Sequence, residues 1–357
     1  MKSRGIKRVF AVFMSLFAAV AITVPTYAVE SEATVGNIET LVPGGMAFGV
    51  KFFTEGAIVL GTTGVETASG VVSPAKDAGL QSGDIITEIG GEDFDSAEEM
   101  ILIVLGCGGK AVELEYSRDG EEFTTTITPA RDKDSGEFRI GALVKDSTAG
   151  IGTVTYIDPE TMDFGGLGHG IYDAETGKLL PLGKGAVVNV EITDVVKSER
   201  NYPGQLRGKF DNVAIGNLWD NCEEGVFGRI VRAPWEAQEA IPVADWDEVT
   251  EGKAYIQTTL SGNQVKQYEI EIEKIYDNSG STKNYLLHIT DEELIEKAGG
   301  IVQGMSGSPI IQNGKLVGAV THVLVNDPLR GYGIFIENML KSAYDVNLDE
   351  AYPPLIA

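Results

Sequence analysis

The sequence predicts a mostly β fold. Short apolar segments alternate with turn residues along most of the chain, and glycine supplies 44 of the 357 residues, well above its usual share of about 7%. Short strands separated by Gly and Asn turns are typical of β-barrels and β-sandwiches. The clearest local signal is Asn313-Gly314 between two apolar runs, which predicts a tight hairpin.

Length and charge limit the possible partners. A chain of 357 residues has room for about two to three domains. A formal net charge of −25 argues against nucleic acid and against anionic membrane surfaces as partners. The two cysteines and three histidines form no cluster with the spacing of a zinc site. The sequence therefore implies no metal and no cofactor.

Residues 1–28 have the pattern of an export signal. Four basic residues precede an uncharged, largely apolar stretch of 16 residues, Val9–Val24, which Pro25 ends. Small residues then occupy the −3 and −1 positions of a cleavage site after Ala28. The stretch is short for a spanning helix of about 20 residues, so we expect cleavage, with an uncleaved membrane anchor as the alternative. Either way the remainder is delivered outside the cytosol.

Export also bears on the two cysteines, Cys107 and Cys222. An exported protein could pair them, but they are far apart in sequence, and two unrelated thiols are the simpler expectation. The acidic, polar residues 29–42 are expected to form a linker to the first domain.

Residues 43–131 predict a compact α+β module. Val50–Phe53 and Ala57–Gly61 are candidate strands, and a short helix begins at Pro74. The later elements are a strand at Ile85–Ile89, a helix at Ser96–Val104 behind a serine cap, and a hairpin of Val112–Tyr116 with Phe123–Ile127.

One stretch of this module is highly specific: Pro74-Ala75-Lys76-Asp77-Ala78-Gly79-Leu80-Gln81-Ser82-Gly83-Asp84-Ile85-Ile86. It resembles the PDZ domains of bacterial proteases. The resemblance implies a groove between a strand and a helix that accepts an extended peptide, from the protein's own chain or from a partner, by β-augmentation. The carboxylate-binding loop of that groove would fall near residues 44–49, where an ordinary turn is the alternative.

Residues 132–357 predict an all-β domain. The strand candidates are Ile140–Val144, Gly150–Ile157, Ala186–Val196, Val226–Val231, Ala254–Leu260 and Tyr268–Ile275. Turn residues separate them, and Asp291–Ala298 is one short helical run.

Ser306 lies in a glycine-rich turn, Gly304-Met305-Ser306-Gly307-Ser308-Pro309, at the head of the predicted hairpin. Glycines let the backbone adopt φ values that other residues resist. The N–H groups of Gly304 and Ser306 could then point at one spot as an oxyanion hole. Ser306 Oγ would be a nucleophile if a base lay within hydrogen-bond reach. A Gly/Ser-rich turn without catalysis is the alternative.

A nucleophilic serine needs a base, and only three histidines are available. His169, set among glycines, leaves its ring room for a neighbour. His288 lies within an apolar strand and is expected to be structural, whereas His322 lies on the strand after the serine. Spacing alone does not identify the acid among 53 Asp and Glu residues, although Asp291 closely precedes the serine turn.

Several motifs resemble the SpoIVB peptidase family (stage IV sporulation protein B). They are Val302–Lys315 around the serine, Gly318–Val323, Val325–Pro328, Ala149–Thr153 and Gly168-His169. With the PDZ module, the resemblance covers essentially residues 43–345. It implies a serine endopeptidase with a chymotrypsin-like, all-β double barrel.

The same resemblance implies a catalytic triad. His169 matches the family's base, Asp291 its orienting acid and Ser306 its nucleophile. The short gap between Asp291 and Ser306 is unlike digestive chymotrypsins, so Asp194 and Asp211 remain alternatives for the acid. His322 is a candidate substrate-binding residue, because glutamyl endopeptidases carry a histidine at a similar place, with a buried strand histidine as the alternative.

The family further implies a setting. Its members are exported into the space between forespore and mother cell, where they cleave a regulatory membrane protein. This cleavage leads to activation of a mother-cell sigma factor, and the peptidases also cleave themselves. The competing class is a PDZ adaptor that binds peptides and carries an inactive protease-like barrel.

Overall fold

The computed structural model describes residues 38–345, apart from residues 95, 175, 235–237 and 277–280. The predicted signal segment, residues 1–28, and most of the predicted linker lie outside the described residues. Within the described part, no helix has both the length and the apolar character to cross a membrane.

The strands and helices follow one another in this order: β1 (Thr40–Pro43), β2 (Ala47–Thr62), β3 (Val65–Thr67), β4 (Gly70–Val72), α1 (Pro74–Asp77), β5 (Ile85–Ile89), β6 (Glu92–Asp93), α2 (Ala97–Gly106), β7 (Val112–Arg118), β8 (Glu121–Ile127), β9 (Ala130–Arg131), β10 (Phe138–Arg139), β11 (Ala142–Ile157), β12 (Asp163–Gly166), β13 (Lys184–Val196), β14 (Gln205–Cys222), β15 (Gly225–Ile230), β16 (Ile241–Pro242), a 3-10 helix (Trp246–Glu248), β17 (Gly252–Thr259), β18 (Val265–Ile275), β19 (Tyr285–Ile289), α3 (Glu292–Ala298), β20 (Pro309–Gln312), β21 (Lys315–Leu324), β22 (Asp327–Phe335) and α4 (Ile336–Asp345).

Six antiparallel strands close the first barrel. They pair in the order β2, β11, β12, β15, β14, β13, and β13 returns to β2. The core of this barrel includes the fully buried rings of Phe48, Phe52 and Phe164. The predicted linker, residues 29–42, ends in strand β1, where Leu41 is fully buried and β1 pairs with β11. Burial of the Leu41 side chain and pairing of its backbone stabilise a strand here, where the sequence predicted a linker.

The second barrel is also closed and six-stranded, in the order β17, β18, β19, β22, β21, β20. Tyr285 and Phe335 pack edge to face in its core, with ring centroids 4.8 Å apart. The predicted hairpin joins β20 to β21, and both turn residues, Asn313 and Gly314, have positive φ (52° and 77°). This is the backbone twist that favours Asn-Gly at a two-residue turn. The predicted double β-barrel is confirmed.

The PDZ module interrupts the first barrel. β2 pairs with β13 through residues 48–53, then with β5 through Ala57 and Ile58. β11 returns from the module beside β2 and re-enters the barrel. The predicted division into a PDZ domain at 43–131 followed by a peptidase domain at 132–357 is therefore corrected, because residues 43–53 belong to the barrel. Ladders between segments about a hundred residues apart leave no local pattern in the sequence.

The expected carboxylate-binding loop near residues 44–49 is corrected as well. The N–H groups of Gly44 and Gly45 donate to the carbonyls of Thr155 and Val154, at 2.9 and 2.8 Å. Gly45 has a φ of +90°, and a side chain there would strike Val265 of the second barrel. Positive φ and close packing favour glycine at this junction, which lies in the barrels and not in the PDZ module.

Inside the PDZ module, the predicted elements are present. Helix α2 begins at Ser96, whose hydroxyl accepts the N–H of Glu99 at 3.2 Å. The buried carboxylate of Asp84 is held by the guanidinium of Arg118 through two bonds of 2.7 Å. Helix α2 lies beside β11, since the N–H of Ala97 donates to the carboxylate of Asp146 at 2.7 Å.

Candidate active site

One cavity of about 640 Å³ brings four of the sequence-predicted residues together. Gly304, Ser306, His169 and His322 all line it. Its walls come from both barrels: residues 148–151 of β11 on one side, and residues 321–323 of β21 on the other. The sequence separates these residues by more than a hundred positions, and the packing of the two barrels brings them to one place.

The turn that carries Ser306 is held by two buried threonines of β11. Thr153 donates its N–H to the carbonyl of Ser306 at 2.9 Å and its hydroxyl to the carbonyl of Gly304 at 2.8 Å. Thr155 donates its hydroxyl to the carbonyl of Gly307 at 2.8 Å. With three of its carbonyls fixed, the turn is held in one conformation by the opposite barrel.

Two N–H groups of this turn have no acceptor among the described residues. The N–H of Gly307 donates to the carbonyl of Val320 at 2.7 Å. The N–H groups of Gly304 and Ser306, by contrast, make no hydrogen bond within the described residues, and both residues line the cavity. Buried N–H groups are rarely left unpaired without a function. They are the two donors that the sequence predicts for an oxyanion hole.

His169 follows β12, and its ring is oriented by the backbone of the next residue. Its Nδ1 lies 2.8 Å from the carbonyl oxygen of Gly170. A carbonyl only accepts, so Nδ1 carries the hydrogen and a neutral ring keeps a lone pair on Nε2. Burial lowers the pKa of His169 from its usual 6.5, and the bond to Gly170 opposes that shift. His169 is therefore a neutral base near pH 7.

The hydroxyl of Ser306 does not point at this base. It donates to the carbonyl of Thr321 at 2.8 Å, and the described residues show no hydrogen bond between Ser306 and His169. Catalytic hydrogen bonds are often long or misaligned in the absence of substrate. A rotation of the Ser306 side chain would be needed before proton transfer.

The structure does not bring Asp291 to His169, and this part of the predicted triad is corrected. Asp291 caps helix α3, where its carboxylate accepts the N–H groups of Leu294 at 3.0 Å and Glu269 at 3.3 Å. It is not among the residues that line the cavity. An Asp ahead of a helical run is a preferred N-cap, so local helix chemistry accounts for its position.

Neither alternative acid reaches the base. Asp211 accepts an amide N–H of Asn189 at 3.0 Å, and Asp194 is exposed beside Arg207. Within the described part of the chain, no carboxylate hydrogen-bonds to His169. The carbonyl of Gly170 holds the position that a triad gives to the acid.

His322 lies against His169, with ring centroids 4.9 Å apart and ring planes at 35°. His322 lies at the surface of β21, unlike a buried strand histidine, but its ring packs against His169 and the cavity wall. Desolvation against the cavity wall, with His169 and Lys283 nearby, lowers the pKa of His322 to about 4. His288 faces elsewhere, with its Nδ1 3.3 Å from a carboxylate oxygen of Glu273 on the second barrel.

Sequence reasoning missed the groups that act through the backbone. The carbonyls of Gly170 and Thr321 hold His169 and Ser306, and no side-chain pattern identifies them.

Cys222 also lies nearby, since a side chain on Gly170 would come within 2.6 Å of its carbonyl. Cys222 and Cys107 are both free thiols, and burial raises the pKa of Cys222 to about 12, so it is a poor nucleophile.

Comparison with known proteins shows similarity in separate segments. The zinc metalloprotease RasP of Shouchella clausii is 38% identical over 87 residues, which are 22% of this chain and 21% of that protein. The chain spans 21% to 27% of the length of the curated relatives it matches.

Two solved structures are also similar to parts of the chain. The PDZ domain of the SdrC-like protein Lmo2051 from Listeria monocytogenes is 27% identical and covers 25% of this chain and 87% of that chain, with a TM-score of 0.21. An inactive form of Rv3671c from M. tuberculosis H37Rv is 13% identical and covers 56% of this chain and 83% of that chain, with a TM-score of 0.31.

Two family models match the chain. The PDZ domain model matches residues 67–118, which contain α2 and β5. The model of the SpoIVB peptidase S55 family matches residues 136–340, more than half of the chain, and includes the turn of Ser306 and the segment of His169. The chain therefore belongs to the SpoIVB peptidase S55 family of serine peptidases, and it carries a PDZ domain.

Proposed function

We propose that this chain is a serine endopeptidase in which Ser306 is the nucleophile and His169 the general base. The observation that carries the proposal is the cavity that collects Ser306, His169 and the two N–H groups of the serine turn for which the described residues offer no acceptor. These are the parts that acyl transfer through a serine requires.

The proposed reaction starts with rotation of the Ser306 hydroxyl from the carbonyl of Thr321 to Nε2 of His169. Nε2 takes the proton as Oγ attacks the peptide carbonyl, and the N–H groups of Gly304 and Ser306 stabilise the oxyanion. His169 then protonates the leaving amine, and a water repeats the sequence on the acyl-enzyme. Loss of one such oxyanion donor typically costs about 10²–10³ in rate.

The carbonyl of Gly170 supports this chemistry in part. It fixes the tautomer and the orientation of His169, which is one role of a triad acid. It carries no full charge, so it stabilises an imidazolium less than a carboxylate would. Asp291 could take that role only after leaving the cap of α3.

For the substrate we propose an extended peptide segment. Much of the cavity wall is apolar, with Ile151, Leu167 and Val302 among its residues. His322 lies at the edge of this cavity and is proposed to contact the substrate, with an acidic side chain as the preferred partner. Neutral imidazole can donate one N–H to a carboxylate.

The wider setting is proposed on family membership. The natural substrate would be a membrane-embedded regulator of sporulation, whose cleavage leads to activation of a mother-cell sigma factor. The protein would be exported to the space between forespore and mother cell, by way of the segment 1–28, and would cleave itself. The PDZ domain would bind a peptide of its own chain or of a partner.

A second function has one observation in its favour. Because the Ser306 hydroxyl is bound to Thr321 and no described carboxylate reaches His169, the barrel could be inactive and the chain a PDZ adaptor. Such an adaptor would bind peptides without cutting them.

The test compares residues 29–357 of the wild type with the Ser306→Ala variant. Each is incubated with unfolded casein and followed by mass spectrometry of casein and of the protein itself. The peptidase proposal expects time-dependent cleavage by the wild type only. Cleavage by both forms, or by neither while casein binds, would reject catalysis by Ser306 and favour the adaptor.

A further inference from the structure

One edge of strand β11 is open along most of its length. β2 pairs with β11 from Ala142 to Thr153, on one side only. On the other side β12 pairs with the last residues of β11, starting at Val154. Within the described part of the chain, no strand covers that second edge between residues 142 and 152.

Thr153 shows which backbone groups face the open edge. Its N–H donates to Ser306 and its carbonyl accepts the N–H of Leu167 at 3.3 Å, both on the side away from β2. The pairing of β11 with β2 is regular from residue 147 to 153, and alternate residues of an antiparallel strand face the same side. The N–H and C=O groups of Ser147, Ala149 and residue 151 therefore face the open edge.

Between residues 147 and 152 this edge has none of the usual protection, whereas Lys145 and Asp146 farther along are bound to Asp173 and to the first N–H of α2. Folded proteins guard open edges with lysine, proline, inward charges or a covering segment. The sequence Ser147-Thr148-Ala149-Gly150-Ile151-Gly152 has no charge and no proline, and Ser147, Ala149 and Gly150 are exposed. A side chain added at Gly150 would meet no atom within 4 Å. The edge is open to an added strand.

The open edge joins two sites. At one end, residues 148–151 line the cavity of Ser306 and His169. At the other end, β11 passes beside α2, whose first N–H donates to Asp146. The register with β2 shifts near Lys145, but the strand is unbroken from Ala142 to Ile157.

The chemistry of the site sets the direction of a peptide on this edge. His169 gives its proton to the leaving amine, so the segment after the cut bond leaves on the His169 side. His169 and residues 148–151 of β11 line the same cavity, so the open edge is the backbone that this segment can reach. β11 runs toward the site, so a segment leaving along it is antiparallel, like every strand that pairs with β11.

We propose that the substrate segment that follows the scissile bond adds to β11 as an antiparallel strand and extends from the cavity toward the part of β11 that lies beside α2. A strand rises about 3.3 Å per residue, so the edge from Ile151 back to Ala142 is about 30 Å long. A tail of about ten extended residues after the cut bond would fill it. The binding claim stands on the open edge, whereas the position of the cut rests on the proposed function.

The test has a binding arm that needs no catalysis. The full chain carrying Ser306→Ala is mixed with unfolded, carboxymethylated casein, and amide hydrogen exchange is measured by residue. We expect exchange at Ser147, Ala149 and Ile151 to slow at least tenfold. Adding Ala149→Pro removes one outward N–H, and a proline is tolerated where the N–H is not in a ladder. It is expected to abolish the slowing.

Thr124→Pro is the matched control, because β8 is also an edge strand and Thr124 is exposed there. β7 and β8 form a hairpin with a two-residue turn, so residues 121 and 123 bond to β7. Thr124 alternates with them, and its N–H therefore faces the open side. This variant is expected to keep the slowing at β11. Ala149→Ser, which keeps the N–H, is expected to do the same.

The cleavage arm uses the wild type and peptides built around one mapped casein cut, followed by either two or ten residues. We expect kcat/KM to be at least tenfold higher with ten residues. The ratio should fall toward one in Ala149→Pro and persist in Thr124→Pro.

The two arms separate the possible failures. Cleavage without tail dependence, or casein binding that leaves exchange at residues 147–151 unchanged, overturns the edge proposal and leaves the peptidase intact. Slowed exchange along β11 with no cleavage by the wild type supports the edge as a peptide site and overturns the peptidase. If casein is neither bound nor cleaved, both the edge proposal and the peptidase proposal are overturned.

Discussion

The hydroxyl of Ser306 donates to the carbonyl oxygen of Thr321 across 2.8 Å, in the cavity that also holds His169. The nucleophile and its proposed base therefore share a site without sharing a hydrogen bond. Breaking the bond to Thr321 costs about 1 kcal/mol, the net value of a typical hydrogen bond, and a bond to Nε2 of His169 would replace it.

The cap of helix α3 predicts the behaviour of Asp291 variants. Asn is as good an N-cap as Asp, whereas Ala costs about 1 kcal/mol. We expect Asp291→Asn to keep its stability and to lose less than about tenfold in kcat, and Asp291→Ala to lose stability. Urea unfolding and peptide cleavage measure the two quantities. A kcat loss of about 10⁴ in Asp291→Asn, as for a triad acid, would show that Asp291 reaches His169 during turnover.

The environment of His169 predicts the acid side of the pH profile. Burial lowers the pKa of His169 below 6.5, so protonation, which inactivates a base, occurs only at lower pH. The activity kcat/KM should therefore stay above half its maximum at pH 6.5 and fall below that pH. A profile from pH 4.5 to 8 checks this. A midpoint above pH 6.5 would indicate a carboxylate beside the ring, because a nearby negative charge raises the pKa of an imidazole.

The position of His322 predicts a change in specificity. With a pKa of about 4 it is neutral near pH 7 and can recognise a carboxylate through one N–H. A hydrogen bond to a charged group contributes about 1.5–3 kcal/mol. His322→Ala should therefore lower kcat/KM at least tenfold more for peptides with Glu near the cut than for matched Gln peptides. His288→Ala is the control, since His288 lies outside the cavity, and equal losses on both peptides would reject the idea.

The serine turn predicts an intolerant glycine. Gly307 has a φ of +93°, and a side chain there would lie 2.0 Å from the carbonyl oxygen of Thr153. Because this turn is fixed to β11, Gly307→Ala must displace Ser306, and a displacement of about 1 Å can cost about 10² in rate. We expect a loss of that size or more in kcat. Gly61→Ala, where the added carbon meets no atom within 4 Å, should keep activity, and an active Gly307→Ala would contradict the account.

Local signals predicted the parts of this structure that local chemistry determines. Asn313-Gly314 marked the hairpin, Ser96 marked the start of α2, and the glycines around Ser306 marked a special turn. Asp291 also carried a local signal, because an Asp before Glu292 and Glu293 is a typical N-cap, and that signal competed with the resemblance that implied a triad acid.

The features that sequence reasoning missed depend on long-range pairing. The PDZ module is inserted through β2 and β11, whose ladder joins segments about a hundred residues apart. The carbonyls that hold His169 and Ser306 belong to the backbone and have no side-chain signature. The open edge of β11 could not be predicted either, because an unpaired strand has the same sequence pattern as a paired one.

The measurement that tests the central claim most directly is labelling with a fluorophosphonate. The reagent reacts with a serine only when a base activates it, so it reports on Ser306 and His169 without any substrate. We predict rapid phosphonylation of Ser306, located by mass spectrometry, in the wild type and in His288→Ala, and none in His169→Ala. A wild type left unlabelled at Ser306, or undiminished labelling in His169→Ala, would contradict catalysis by this pair.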